Sequence, residues 1–364
     1  MKLSAISKII EAFAPPALQE NYDNSGLLVG SPDQEVERIL ISLDITDEVV
    51  NEAIDLEANF ILVHHPVIFK PLKSLTGKNE VERCVIACIK HNIAIYAAHT
   101  NADSTQNGVS AKMAEKLGLK NISILSPAKS LLKKIVVFTP VVHAQEVREA
   151  MFNAGAGHIG DYDQCSYNLS GQGTFRGLKN SNPFTGEKGK LHFEPEERVE
   201  TVVPHYFTSR VISEMIKAHP YEEVAYDIYP LENTNSQYGL GVTGDFEQPL
   251  KEEEFLKKLK DIFAVKCIRH SPLTGKKIQT VALCGGSGSF LLSKAKSSGA
   301  QAFVTADVKY HEFFDLKDQL LLADIGHYES EQYTKDIFYE LLTEKLTNFA
   351  VHLSKVNTNP INYY

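Results

Sequence analysis

Phe60-Ile61-Leu62-Val63-His64-His65-Pro66 is a short apolar run that stops abruptly at two adjacent imidazoles and a proline. A run of this kind reads as a strand covered on both faces, as in parallel sheets flanked by helices. In open α/β sheets ligands collect beyond the carboxyl ends of the strands, which is where these histidines fall. Neighbouring strand side chains point to opposite faces, so His64 and His65 can meet one site only if the chain bends there. Pro66 holds His65 in an extended or turning geometry and ends the ladder.

Working outward, Arg38 to Asp44 reads as the preceding strand, and Thr46 or Asp47 caps a helix through Val49, Val50 and Ala53. Strand, helix, strand is by default a right-handed βαβ unit. The next apolar strand, Ile93 to Ala98, ends in His99-Thr100-Asn101-Ala102-Asp103, again placing ligand-type residues at a carboxyl end. A similar alternation returns late in the chain. Gln279 to Cys284 runs into Gly285-Gly286-Ser287-Gly288-Ser289, Ala302 to Asp307 is followed by His311 and Glu312, and Leu320 to Asp324 leads to Ile325-Gly326-His327. The repeated alternation predicts one sheet shared by the two halves. Between them, Ser130–Pro140 reads as a strand, Gln145–Ala154 as a helix, 155–189 as a polar, glycine-rich region, Val199–Val203 as a strand, Thr208–Ala218 as a helix and Ala225–Pro230 as a strand. The order β-α-β-β-α-β is that of a ferredoxin-like sandwich. The expected organisation is therefore an α/β protein with two halves, 1–126 and 237–364, of mostly parallel sheet sharing a metal site, interrupted by an inserted α+β domain at 127–236.

Composition narrows the function classes. The chain has 364 residues, too many for a single core, with ordinary hydrophobic (43%) and charged (23%) fractions. A formal net charge of −9 argues against a broad nucleic-acid face. No apolar run reaches the roughly 20 residues that span a bilayer, and the opening residues have helical spacing rather than a signal-peptide core. The expected setting is the cytoplasm. Five cysteines form no CxxC pair, and Cys84 and Cys88, four apart on one helix face, read as small buried residues.

His327 and Glu331 lie four apart at a helix start, on one face. With His64, His65 and Asp103 they make three imidazoles and two carboxylates at strand ends. Such a set suits two divalent cations roughly 3.5–4 Å apart, and bound cations acidify water into a nucleophile near neutral pH. Without thiolates, and with several imidazoles, zinc is the expected metal, with manganese or iron as alternatives. His99 is either a residue that orients ligands or an extra ligand. Gly285 to Ser289 is either a phosphate cradle or a tight strand-to-helix turn. His311 and Glu312 are either acid–base groups or a solvated helix start. His99 and His311 are the catalytic candidates, whereas His158 and His205 in the insert read as structural.

Val63-His64-His65-Pro66, His99-Thr100-Asn101-Ala102-Asp103, Gly285-Gly286-Ser287-Gly288 and Gly326-His327-Tyr328-Glu329-Ser330-Glu331 together resemble the motifs of the Ngg-interacting-factor-three-like proteins, commonly labelled GTP cyclohydrolase I type 2 homologues. The resemblance covers roughly 1–125 and 239–364. It implies a dinuclear site at His64, His65, Asp103, His327 and Glu331, with Glu331 and Asp103 as bridges. It also implies a toroidal homohexamer, a dimer of trimers, with the insert similar to the CutA/PII-like modules of the longer bacterial members. Tyr22 departs from the family, where an indole is usual. Two functions follow as expectations. One is metal-dependent hydrolysis of a nucleotide such as GTP or a related small molecule. The other is a non-catalytic metal-binding regulator whose insert senses a small molecule.

Overall fold

The computed structural model describes residues 1–129, 131–316 and 319–364. Ser130, where the sequence reading begins a strand, lies outside them, and that strand is observed as Leu132–Pro140. The chain divides into two compact units, Met1–Ser126 with Gln237–Tyr364, and Pro127–Ser236. Among the described residues no helix is long and apolar enough to cross a membrane.

The first unit is mixed α/β and contains two sheets, not the single shared sheet that the alternation suggests. In the first sheet, Ala94–Ala97, Phe60–Val63, Arg38–Ser42 and Ala350–Leu353 are consecutive parallel neighbours, with Gly26–Val29 antiparallel at one edge. The second has the order Arg269–His270, Leu321–Asp324, Ala302–Thr305, Ile278–Leu283, Asn235–Leu250, Lys120–Ala128, and its three inner apolar strands are parallel. Each sheet thus takes an edge strand from the other half of the chain. Hydrophobic pattern dictates that a strand is buried but not which strand it pairs with.

Alternation explains the layers of the first sheet. Ile39, Ile41, Phe60, Leu62 and Tyr96 face one side and pack on Leu3, Ile6 and Ile10 with Phe338 and Leu342. Their neighbours Leu40, Ile61, Val63, Ile95 and Ala97 face the other, against Val49, Val50 and Ala53 with Cys84, Val85 and Cys88. Losing Phe60 from such a layer costs about 3–5 kcal/mol. Thr46 caps the helix Asp47–Asp55 by accepting from the Val49 N–H at 3.3 Å. Burial pushes both the Cys84 and Cys88 thiols up to about 12, so these cysteines pack rather than react.

Among its described residues the second unit has one antiparallel sheet of four strands and two α-helices. Its element order is strand Leu132–Pro140, helix Ala144–Asn153, strands Ser166–Phe175 and His192–Pro204, helix Thr208–Ala218 and strand Tyr226–Pro230. The spatial order 166–175, 192–204, 132–140, 226–230 is ferredoxin-like connectivity. Both helices cover one face, where Ile135, Val137, Val199 and Val203 meet Val147, Met151, Val211 and Met215.

Candidate metal centre

The bend that the double histidine requires is present. The backbone N–H groups of His64 and His65 both donate to the Leu43 carbonyl, at 3.2 and 3.0 Å, just beyond the strand Phe60–Val63. Two consecutive side chains therefore share one site. His99 opens the short helix Thr100–Asp103 after the strand Ala94–Ala97, and His327 opens the helix His327–Glu331 after Leu321–Asp324.

Each of the four imidazoles is held by its Nδ1. His64 donates to the Ala98 carbonyl at 2.9 Å. His65 pairs with Asp44, His99 with Asp23 and His327 with Asp307, each at 2.7 Å. With Nδ1 spent in this way, Nε2 is left as a lone pair. The Nε2 of His65 lies 2.9 Å from Glu331 Oε2, the Nε2 of His327 lies 3.1 Å from the same oxygen, and the two nitrogens are 3.3 Å apart. His64 Nε2 is 3.7 Å from Asp103 Oδ1 and 3.8 Å from Glu331 Oε1. Lone pairs that converge at such distances repel unless a proton or a cation sits among them.

Three buried atoms, His64 Nε2, Asp103 Oδ1 and Glu331 Oε2, have no hydrogen-bond partner. Buried polar atoms are rarely left so. The donor atoms form three groups that could hold an ion: His64 with His65 and His99, His65 with His327 and Glu331, and His64 with Asp103 and Glu331. All are imidazole nitrogens or carboxylate oxygens, as zinc, manganese or iron require. The residues fit a divalent cation.

Titration behaviour records the same convergence. Burial alone would lower the His65 pKa, but Asp44 and Glu331 raise it to about 10. His327 is raised to about 9 by Glu331 and Asp307 against the same burial. Glu331, although buried, is held well below its ordinary value by His327, His64 and His65. Asp103 is raised, chiefly by burial. A cation would have to compete with protons for these same nitrogens, because a ligating imidazole must be neutral.

Other sequence candidates fall elsewhere. His311 packs its ring on Tyr310 and Phe314, and it joins none of the three donor groups found among the described residues. The Glu312 carboxylate accepts from the Lys309 N–H at 2.7 Å and the Ser289 hydroxyl at 2.9 Å, so it ties down its own turn. The glycine segment is largely committed to a tight strand-to-helix turn. The N–H groups of Gly285, Gly286 and Gly288 already donate to Ser110, Ser330 and Thr305. Glycine is needed there for proximity: Gly286 has φ +61°, and a Cβ would lie 2.2 Å from Glu331 Oε1. His158 is exposed, and neither it nor His205 belongs to a donor group among the described residues.

Sequence reasoning missed Asp23, Asp44 and Asp307 as functional residues. Asp44 and Asp307 stand just past strand ends, as the histidines do, and that signal was available. Asp307 also adopts a left-handed φ of 55° and accepts from Ser287 at 3.0 Å, so the glycine loop braces the residue that orients His327.

Comparison with known proteins gives one consistent picture. The model of the Duf34/NIF3 (NGG1p interacting factor 3) family matches residues 1–360. A Halalkalibacterium halodurans protein named GTP cyclohydrolase 1 type 2 homolog is 41% identical over 363 residues, with 98% of each chain covered. The Bacillus subtilis protein of that name is 37% identical over 368 residues, covering 98% of this chain and 97% of its own. The crystal structure of a Bacillus cereus protein related to NIF3 superposes with a TM-score of 0.85 at 39% identity, covering 100% of this chain and 99% of that one.

Proposed function

The chain belongs to the Duf34/NIF3 family, and from that premise and the cluster geometry we propose a hydrolase of a nucleotide or related small molecule that holds two divalent cations. The observation that carries this reading is the set of four imidazoles, each fixed through Nδ1, of which His64, His65 and His327 bring their free nitrogens to Glu331 or Asp103 while His99 groups with His64 and His65. His65, His327 and Glu331 would hold one cation, and His64, Asp103 and Glu331 the other, with Glu331 common to both. Zinc is the first choice, then manganese or iron. When bound, such cations supply Lewis acidity toward a carbonyl or phosphoryl oxygen. The chain's own residues do the rest. Asp44 and Asp307 orient His65 and His327, Asp23 orients His99, and His99 moves a proton at Nε2 beside the cluster.

The names of the relatives make GTP the first substrate to test. A ring-shaped homohexamer, a dimer of trimers built through a CutA/PII-like insert, is part of the same reading. It is supported by the helix-free face of the second unit's sheet, where the pairing register places Tyr167, Leu169 and Tyr229, all exposed. Five free cysteines suit a cytoplasmic setting. A second reading, a metal-loaded regulator whose insert binds a small molecule, is favoured by a cavity of about 1000 Å³ lined by Phe138, Phe175, Phe184, Tyr221 and Arg198.

The deciding experiment measures metal content and then turnover of GTP and a panel of phosphoesters, beside a His65→Ala, Glu331→Ala double variant. Turnover that vanishes with the metal in the variant supports hydrolysis. Two bound metals with no turnover on any substrate move the assignment to the regulator. Failure to bind a metal removes both.

A further inference from the structure

Two aromatic rings stand exposed beside the cluster with no core to fill. Tyr22 is 66% exposed and Phe69 46%. Their centroids are 6.5 Å apart at an interplanar angle of 56°. Phe69 meets the His99 ring edge-on at 6.4 Å, and His99 lies 5.2 Å from His64 and 5.4 Å from His65. An unbroken series of rings thus runs from solvent to the imidazole nitrogens.

The backbone beside both rings is pinned. Asp23, next to Tyr22, accepts from the Thr100 N–H at 3.1 Å and the Ser25 hydroxyl at 2.8 Å. The Asn24 side chain donates to the carbonyl of Ile68, next to Phe69, which ties the two ring-bearing segments together. Large aromatic rings that are both exposed and held in place form a surface suited to stacking.

We propose that Tyr22 and Phe69 form a stacking subsite for a planar heteroaromatic ring, positioning the substrate's base with one edge toward His99 and the cluster. This rests on the nucleotide reading above and assigns it the base as the recognised part. Three N–H groups of the glycine segment are already taken by hydroxyls, whereas the exposed rings at the rim offer a face to a planar ring.

The chain contains no tryptophan, so Phe69→Trp installs a single fluorescent reporter at the rim. Zinc-loaded Phe69→Trp protein is titrated with guanosine, GMP and ribose 5-phosphate. Saturable quenching by guanosine and GMP, but not by ribose 5-phosphate, is expected. Adding Tyr22→Leu weakens guanosine binding by about tenfold, while Tyr22→Phe preserves it. Equal responses to guanosine and ribose 5-phosphate would overturn the subsite, as would no quenching at all or an unchanged guanosine affinity in Tyr22→Leu. Quenching without turnover leaves the stacking intact and removes hydrolysis, and turnover without quenching does the reverse.

Discussion

His65 and His219 are both packed against their surroundings, one in each unit, and they behave in opposite ways. In the second unit, His219 Nε2 donates to the Phe138 carbonyl at 3.0 Å and its Nδ1 accepts from the Tyr221 N–H at 3.1 Å. Both nitrogens are satisfied by backbone, and burial lowers the pKa, so the ring stays neutral and structural. His65 has one nitrogen on Asp44 and the other aimed at Glu331 and His327, and carboxylates raise its pKa despite burial. A histidine completed by backbone serves the fold. One completed on a single side, with its free nitrogen shared among other donors, serves a ligand.

The sharpest way to break that contrast is Glu331→Gln. It removes the carboxylate that two donor groups share among the described residues, and metal content is expected to fall to background, measured by elemental analysis after dialysis. His219→Gln should leave metal content unchanged and lower stability by about 1–3 kcal/mol, the cost of an unsatisfied buried group. Equal metal loss in both variants would erase the distinction between the two histidines.

pH comes next in size. His65 is raised from 6.5 to about 10 when no cation is bound. Its proton therefore stabilises the cation-free fold fully below about 6.5, and that contribution is lost as pH climbs toward 10. Glu331, depressed, contributes above its unfolded pKa and loses that contribution only in strong acid. A cation must displace the His65 and His327 protons, so its stabilising effect should grow with pH. Zinc at a thousandfold excess over Kd stabilises by about 4 kcal/mol. The increment in Tm on adding zinc should be larger near pH 8 than near pH 6, read by calorimetry. An increment that does not vary with pH would mean that zinc binds somewhere other than this cluster.

How much of this was readable beforehand depended on where burial writes a pattern. Phe60–Val63 and Ala302–Thr305 are covered on both faces, and continuous apolar runs announce them. Ser166–Phe175 is a ten-residue strand of mostly exposed, glycine- and polar-rich sequence, held by pairing with His192–Pro204, so its sequence reads only as part of a polar, glycine-rich region with no strand bounds. The separation into two sheets was hidden for a related reason, since pairing partners leave no trace in hydrophobicity. Histidines at strand ends were visible because imidazoles are uncommon there. Asp44 and Asp307 sit at strand ends too but are easily passed over there, because aspartate after a strand usually signals a turn or a cap. Asp23 lies in a polar turn ahead of the strand Gly26–Val29, with no such signal. The glycine segment misled because its sequence does not say whether its N–H groups are already taken, and here three serine and threonine hydroxyls take three of them.

The aspartates give a finer test of what completes a ligand histidine. Asp307→Asn and Asp44→Asn keep the shape but weaken the anchor on Nδ1. Each should reduce zinc affinity by about 10–100-fold, measured by competition with a chelator. The Asp44 variant should fall nearer the upper figure, because Asp44 is the more buried of the two and holds the more buried histidine. Affinity unchanged in both would mean that the carboxylates position nothing.

The smallest effect lies furthest along the sequence. Thr358, in the segment that follows the strand Ala350–Leu353, donates its hydroxyl to Asp44 Oδ2, while Asp44 Oδ1 holds His65. Asn359 beside it donates to Glu329 at 3.0 Å, so the segment is fixed at two points. Removing the hydroxyl with Thr358→Val leaves one Asp44 oxygen without this donor and loosens the carboxylate without displacing it. The net worth of one such bond is about 1–1.5 kcal/mol, only part of which reaches the metal. A loss of zinc affinity of a few fold is expected, smaller than that of Asp44→Asn and absent when the two substitutions are combined. Full additivity in the double variant would show that Thr358 acts on the fold and not through Asp44.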